Sequence, residues 1–313
     1  MKGWRHFSVM QRQWLAVVPL LVLIWAAPLL MNAYWLQFAY RGLQLLALAT
    51  AWNLLAGYGG QVSLGTAAFV GLGAYAMSWL VNQWQLSYLW VLPLSALVAA
   101  AFALLVSPGM FRMRGLYFTI GSLALSEALR ILMVNSRLFG GTRGIIVDAP
   151  PPSFVELYLS AAVIALLTHM IVRHILSRPA ALALQAVRDD EDVARQMGVR
   201  SFSVKLNAFV LSAAVMGAVG GLQAMKLGAI EPYGAFSLSW TIDTTAVVII
   251  GGMGTLWGPL LGTLVYVGLS ELLRGLPELH MAITGVFLLL TIRFAPSGLA
   301  GELTKRLHRR QAS

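Results

Sequence analysis

The chain has 313 residues, of which 58% are hydrophobic and only 11% charged, and its mean hydropathy is +0.76. A soluble protein of this length carries roughly a quarter of its residues charged, so the composition excludes an ordinary soluble domain. The absence of cysteine excludes disulfides, thiolate metal sites and cysteine nucleophiles.

The apolar residues cluster in blocks long enough to cross a bilayer as helix, which takes about 20 residues. They do not alternate with polar residues as the strands of a membrane barrel must. The fold class expected is an all-α integral membrane protein with about ten transmembrane helices. At the start, Lys2, Arg5 and Arg12 precede an apolar run from Trp14 to Leu30. The small pair Ala26-Ala27 is followed by Pro28, a poor residue after a cleavage site, so the run reads as an uncleaved first helix. The spans are predicted over 14–31, 36–56, 64–82, 88–107, 116–134, 154–176, 205–226, 241–252, 259–275 and 279–294. This divides the chain into a cytoplasmic N-terminus (1–13), a membrane domain (14–294) with a long polar loop at 177–204, and a basic tail (295–313).

Orientation follows from the basic residues. With the N-terminus inside, most of the 22 Lys and Arg fall in or beside inside segments; the exceptions are Arg41, Arg130, Arg137, Arg143, Lys226 and Arg274. That bias favours both termini and the 177–204 loop in the cytoplasm. The net charge of +10 then reflects cytoplasmic loops, and no nucleic-acid partner is expected.

Two glycine clusters interrupt apolar stretches near membrane depth: Gly57-Tyr-Gly-Gly60 and Gly251-Gly-Met-Gly254. Non-helical backbone there is tolerated only when buried in protein or lining a watery cavity. Such a break marks either a transport path or a tight cytoplasmic turn. Asn53, Gln61 and Ser63 flank the first break, so they either line a path or hydrogen-bond exposed backbone.

The loop at 177–204 is the longest polar stretch. Pro179 suits the first turn of a helix and Gly198 its end. Between them Ala183, Ala186, Val187, Ala194 and Met197 share one helical stripe, with Arg188, Asp189, Asp192 and Arg195 opposite. Asp190 spoils the stripe. The expectation is one amphipathic helix with four consecutive acids, Asp189-Asp190-Glu191-Asp192, flanked by arginines. It is either a solvated connector or a docking helix for a soluble partner. No G-x-x-x-x-G-K-[ST] occurs in the chain, so no ATP site of that kind is expected in it.

Asp192-Val-Ala194-Arg-Gln-Met-Gly198 resembles the Glu-Ala-Ala-x-x-x-Gly coupling loop of ABC importer permeases, with Asp for Glu and Val for the first Ala. More specifically, Ala186-Val-Arg-Asp-Asp-Glu191 with Ala194–Gly198 is similar to the loop of branched-chain amino acid ABC transporter permeases. So are Asn53-Leu-Leu-Ala-Gly-Tyr-Gly-Gly-Gln-Val-Ser-Leu-Gly65, Gly140-Gly-Thr-Arg-Gly144 and Gly251-Gly-Met-Gly-Thr-Leu-Trp-Gly-Pro259. The resemblance runs in chain order from about residue 36 to residue 300; Arg143 stands where that family usually has Asn. It implies an importer built from two permease subunits, two cytoplasmic ATPase subunits using ATP and Mg, and an external solute-binding protein. This chain would hold no cofactor, and its fold would be similar to that of the vitamin B12 importer permeases. Its coupling residues would be Arg188, Asp189, Asp190, Glu191, Asp192, Ala194 and Gly198. The substrate would be a branched-chain amino acid or a related small polar solute, since the family also takes urea and amides.

Ionisable groups in a bilayer core are costly and therefore functional candidates. Glu127 with Arg130, and Glu271 with Arg274, have the i,i+3 spacing of self-neutralising pairs. Asp243 and Thr244 begin the eighth span and are either path-lining or interfacial. Arg41 and Gln44 lie near the outer end of the second span. His169 and His174 lack the spacing of a helical metal pair, so no metal site is expected. Two other functions stay open: an ion-gradient-driven secondary transporter, to which broken helices and Glu127 or Asp243 would be suited, and a membrane enzyme, for which no nucleophile–base set is visible.

Overall fold

The computed structural model describes residues 28, 31–273, 277–295 and 298–302. Most of the predicted first span and of the basic tail lie outside the described residues.

The described chain is a succession of helices that matches the predicted spans from the second onward. Helix α1 is Ala33–Trp52, continued by a π-helical turn, Asn53–Tyr58. There follow α2 (Thr66–Trp84), α3 (Tyr88–Met110), α4 (Leu116–Asn135) and α5 (Phe154–Leu176). The polar loop holds α6 (Pro179–Asp189) and α7 (Glu191–Gln196). Then come α8 (Ser201–Leu227), the short α9 (Pro232–Ala235), α10 (Ser239–Gly251), α11 (Gly258–Leu272) and α12 (Pro277–Phe294). The segments Tyr88–Met110, Leu116–Asn135, Phe154–Leu176, Ser201–Leu227 and Pro232–Gly251 are each long and apolar enough to cross a bilayer.

Helix α8 is the axis of the bundle. It packs most closely on α2 and α3, and also on α1 and α5. Lipid is as apolar as leucine, so helices in a membrane gain by close van der Waals approach. Small residues allow it here. A Cβ on Gly73 of α2 would lie 2.0 Å from the Gly217 carbonyl oxygen, and one on Gly220 would lie 1.9 Å from the Val70 carbonyl oxygen. Helices α3 and α4 sit at the periphery and bury little: on α4 only Phe118, Ser122, Ser126, Leu129 and Met133 are covered, a single stripe.

On the side of the bundle opposite α6 and α7, β1 (Ile145–Ile146) pairs antiparallel with β2 (Ala229–Ile230), Ile145 opposite Ile230. This ribbon straps the loop that follows α4 onto the end of α8.

The polar loop departs from its prediction as a single helix. Asp190 adopts an extended conformation, and its carboxylate accepts hydrogen bonds from the Asp192 and Val193 N–H groups at 2.9 and 3.0 Å. Asp at an N-cap satisfies donors that a helix start leaves free, so the chain turns and a second helix begins. The turn resets the helical phase. Ala181, Leu184, Val187 and Ala194 are buried as α6 and α7 pack, whereas Met197, expected on the apolar stripe, is 81% exposed.

A matched pair of substitutions tests the close packing. Gly220→Ala should lower stability by about 1–3 kcal/mol through overpacking. Gly42→Ala, where nothing lies within 4 Å of the added Cβ, should be neutral or slightly stabilising. Melting of the detergent-solubilised protein reads both.

Candidate functional site

The two glycine breaks meet. The chain leaves the π-helical turn at Gly59 and re-enters helix at Thr66, while α10 ends at Gly251 and α11 begins at Gly258. Gly252 and Gly254 hold φ of 116° and 74°, which glycine adopts without steric cost. Asn53, 1% exposed, bridges the breaks. Its Oδ1 accepts from the Gly254 N–H at 2.8 Å and its Nδ2 donates to the Thr255 carbonyl at 2.9 Å. A Cβ on Gly57 would lie 2.1 Å from that Oδ1 and 2.5 Å from the Gly254 nitrogen, so only glycine fits under the bridge. Ser63 is buried; its Oγ accepts from the Gly65 N–H at 3.1 Å, and its carbonyl accepts from the Trp52 indole at 2.8 Å. Gln61 is half-buried at the exit from the turn, with its N–H donated to the Leu55 carbonyl at 3.1 Å.

Helix α6 lies directly on this junction. Arg188 donates from Nη1 to the Gly57 carbonyl at 3.0 Å and from Nε to Asp189 at 3.1 Å. Its aliphatic stem covers Gly60, where a Cβ would come within 2.6 Å of the Arg188 Cγ. A Cβ on Gly254 would lie 3.6 Å from the Arg188 Nη1, so one guanidinium stands beside both breaks.

Helix α7 is held from two other directions. Arg114, in the turn before α4, grips Asp192 through two bonds of 2.9 and 3.2 Å. Glu191 accepts from Lys205 Nζ at 2.9 Å through each carboxylate oxygen and from Arg195 at 3.2 Å. Lys205 is only 2% exposed, and the Glu191 carboxylate is the counter-charge it meets there. Ala194 packs inward. Gly198, at φ 86°, lets the Val199 N–H return to the Ala194 carbonyl and ends the helix. The Arg114 hydrogen bonds hold Asp192 below the usual carboxylate range. That contact is complete above the ordinary carboxylate pKa and is lost only as pH falls through the depressed value, so it is intact at neutral pH.

The membrane carboxylates have partners of their own. Glu127 pairs with Arg130 at 2.6 Å, and the Arg130 guanidinium stands 4.9 Å from the Tyr233 ring centroid. Glu127 is 51% exposed, on the sparsely covered α4. Asp243 accepts from the Tyr266 hydroxyl at 2.6 Å and faces Arg41 at 3.9 Å. Thr244 is fully buried and donates to the Trp240 carbonyl at 2.6 Å. Glu271 accepts from the Tyr34 hydroxyl, while Arg274 lies outside the described residues. Gln44 is buried and donates to the Tyr40 hydroxyl at 2.9 Å. Sequence reasoning missed Arg114, Lys205, Tyr266 and the reach of Arg188 to Gly57. All are contacts between residues far apart in the chain, and none has a local pattern.

A sequence profile described as branched-chain amino acid transport system / permease component matches residues 34–292. The chain belongs to this permease family. The permease is 29% identical over 319 residues to the high-affinity branched-chain amino acid transport system permease protein LivM of Escherichia coli strain K12, covering 92% of the present chain and 75% of that protein. It is 28% identical, with the same coverage, to the protein of that name from Salmonella typhimurium. A probable branched-chain amino acid transport permease protein LivM of Methanocaldococcus jannaschii is 27% identical over 208 residues, 59% of this chain and 60% of that one. No solved structure matches the chain. The protein is thus a multi-pass membrane transport component, and family membership favours the importer permease over an ion-driven carrier.

The bridge predicts a graded response. Asn53→Ala leaves the half-buried Gly254 N–H and Thr255 carbonyl without that partner and should cost about 1 kcal/mol for each. Asn53→Asp keeps an acceptor for Gly254 but sets a carboxylate against the Thr255 carbonyl, and should be no better. Melting in detergent compares the three proteins.

Proposed function

We propose that this permease forms half of the transmembrane path of an ATP-driven importer of branched-chain amino acids. A second permease subunit forms the other half, two cytoplasmic ATPase subunits supply ATP and Mg chemistry, and an external binding protein delivers the substrate. The observation that carries this reading is the placement of α6 and α7. They expose Leu182, Val193 and Met197 together with Asp189 and Asp190, a surface of mixed apolar and acidic character suited to a soluble partner. The same helices reach the first glycine break through the Arg188 bond to Gly57, and that guanidinium stands beside the second. A groove of about 570 Å³ beside α7, between Phe111, Arg195, Val199 and Phe202, enlarges the docking surface.

The mechanism follows from that geometry. An ATPase that grips the exposed face and moves with nucleotide displaces α6 and α7. Arg188 transmits the displacement to Gly57, and the Asn53 bridge carries it to Gly254. Rigidly tied breaks shift together, so the permease passes between two conformations biased by nucleotide and by the loaded binding protein. Asn53, Gln61 and Ser63 shape the path near the breaks. Glu127, Asp243 and Thr244 contribute to its outer part. The permease sits in the inner membrane of a bacterium, with both termini in the cytoplasm, the orientation that the basic residues favour. The relatives named for branched-chain amino acid transport support the choice of substrate.

Co-purification with the ATPase encoded beside this chain tests the docking. Replacement of Asp189–Asp192 by Ser should abolish ATPase binding and uptake, and unchanged binding with unchanged transport would refute the docking role. Arg188→Ala should leave ATPase binding intact while slowing uptake about three- to thirtyfold, the effect of losing 0.5–2 kcal/mol of coupling between distant sites. Counting substrate molecules moved per ATP separates this loss of coupling from loss of assembly.

A further inference from the structure

We infer that the cavity between α2, the end of α8 and α9 is a subsite for a zwitterionic amino acid with an apolar side chain; this rests on the importer reading above. The cavity holds about 400 Å³, within the usual range for small-molecule sites. Its wall is largely apolar, with Val70 of α2, Leu227 of α8 and Trp240 of α10. One cation and one anion, Arg143 and Glu231, also line it.

The fold places these two charges deliberately. Arg143 closes a tight turn, Gly141–Arg143, and Glu231 follows β2 directly. The β1–β2 ribbon fixes the two segments side by side. Their approach is so close that a Cβ on Gly144 would lie 1.8 Å from the Ile230 carbonyl oxygen. Among the described residues neither Arg143 nor Glu231 is held in an ion pair, in contrast to Glu127, Glu191, Asp192 and Asp243. Gln223 adds a neutral donor. Its Oε1 accepts from the buried Gln44 at 3.4 Å, which leaves its amide N–H groups for the cavity it lines.

Opposite charges on one apolar cavity match a ligand that carries both signs on an apolar body. The ligand carboxylate accepts from Arg143 and the ligand ammonium donates to Glu231, while the side chain occupies the wall of Val70, Leu227 and Trp240. A free acid or a free amine of the same shape would forgo one of the two charge contacts, which is the source of discrimination. The permease would therefore examine its substrate a second time after the binding protein releases it.

The test uses the complete transporter, co-expressed with its neighbouring subunits and reconstituted with its binding protein. Uptake of labelled L-leucine is measured, together with inhibition from the transmembrane side by L-leucine, 4-methylpentanoate and 3-methylbutylamine. In the unaltered transporter only the zwitterion should compete well. Arg143→Gln and Glu231→Gln should each raise the leucine concentration for half-maximal uptake about ten- to hundredfold, the loss of one charge-assisted hydrogen bond. Glu231→Gln should also lose discrimination against 4-methylpentanoate, and Arg143→Gln against 3-methylbutylamine. Gly234→Leu gives a second route, because its Cβ has no neighbour closer than 3.6 Å and the longer side chain would fill the cavity. It should block uptake while ATPase binding and basal ATP hydrolysis remain. Leucine uptake that is unchanged in all three variants overturns the subsite and leaves the importer reading standing. A reconstituted wild-type transporter that takes up no branched-chain amino acid overturns both.

Discussion

Backbone that leaves the helix while it stays packed within the protein must find its hydrogen bonds there, and the junction of the two glycine breaks is built around that constraint. Two interruptions are brought together so that each completes the other. The Asn53 carboxamide carries its donor and its acceptor on separate atoms, and it uses both on the second break. The glycines beneath it admit no side chain, so the contact is made backbone to side chain with nothing between.

The rest of the architecture serves that junction. Helix α8 supplies a buried axis against which α2 and α3 can close, and its glycines let backbone meet backbone. The polar helices α6 and α7 are then laid across the junction, clamped by Arg114 and Lys205 and touching it through Arg188. A force applied to the exposed side of α6 has a short route into the bundle. At the other end, the β1–β2 ribbon holds charged loop residues over the cavity beside α8. At both ends glycine lets two segments approach; the Asn53 side chain then ties them at the junction, and backbone pairing ties them at the ribbon.

Charge within the bundle is managed by pairing. Glu127 with Arg130, Asp243 with Tyr266 and Arg41, and Glu271 with Tyr34 each receive a partner from the same or a neighbouring helix. This accords with the cost of placing an ionised group in a low-dielectric medium. Of the two i,i+3 pairs read from spacing, Glu127–Arg130 forms, and Arg274 of the other lies outside the described residues. The tyrosine partners come from other helices and had no signature in spacing.

The sequence by itself determined the class of protein, the position of the apolar helices from residue 33 onward and the family, because apolar run length, glycine breaks and ordered motifs are local properties of the chain. It also marked Asn53 and the 177–204 loop as special. It misjudged that loop as one helix, since Asp190 can disturb a helical stripe or begin a new helix, and only packing of α7 against Lys205 and Arg114 decides between them. Tertiary structure alone decided that Asn53 faces the second break, that Arg188 reaches Gly57, and that Arg143 and Glu231 line one cavity. Those contacts join residues far apart in the chain, and no period along a sequence records which distant backbone a side chain will meet.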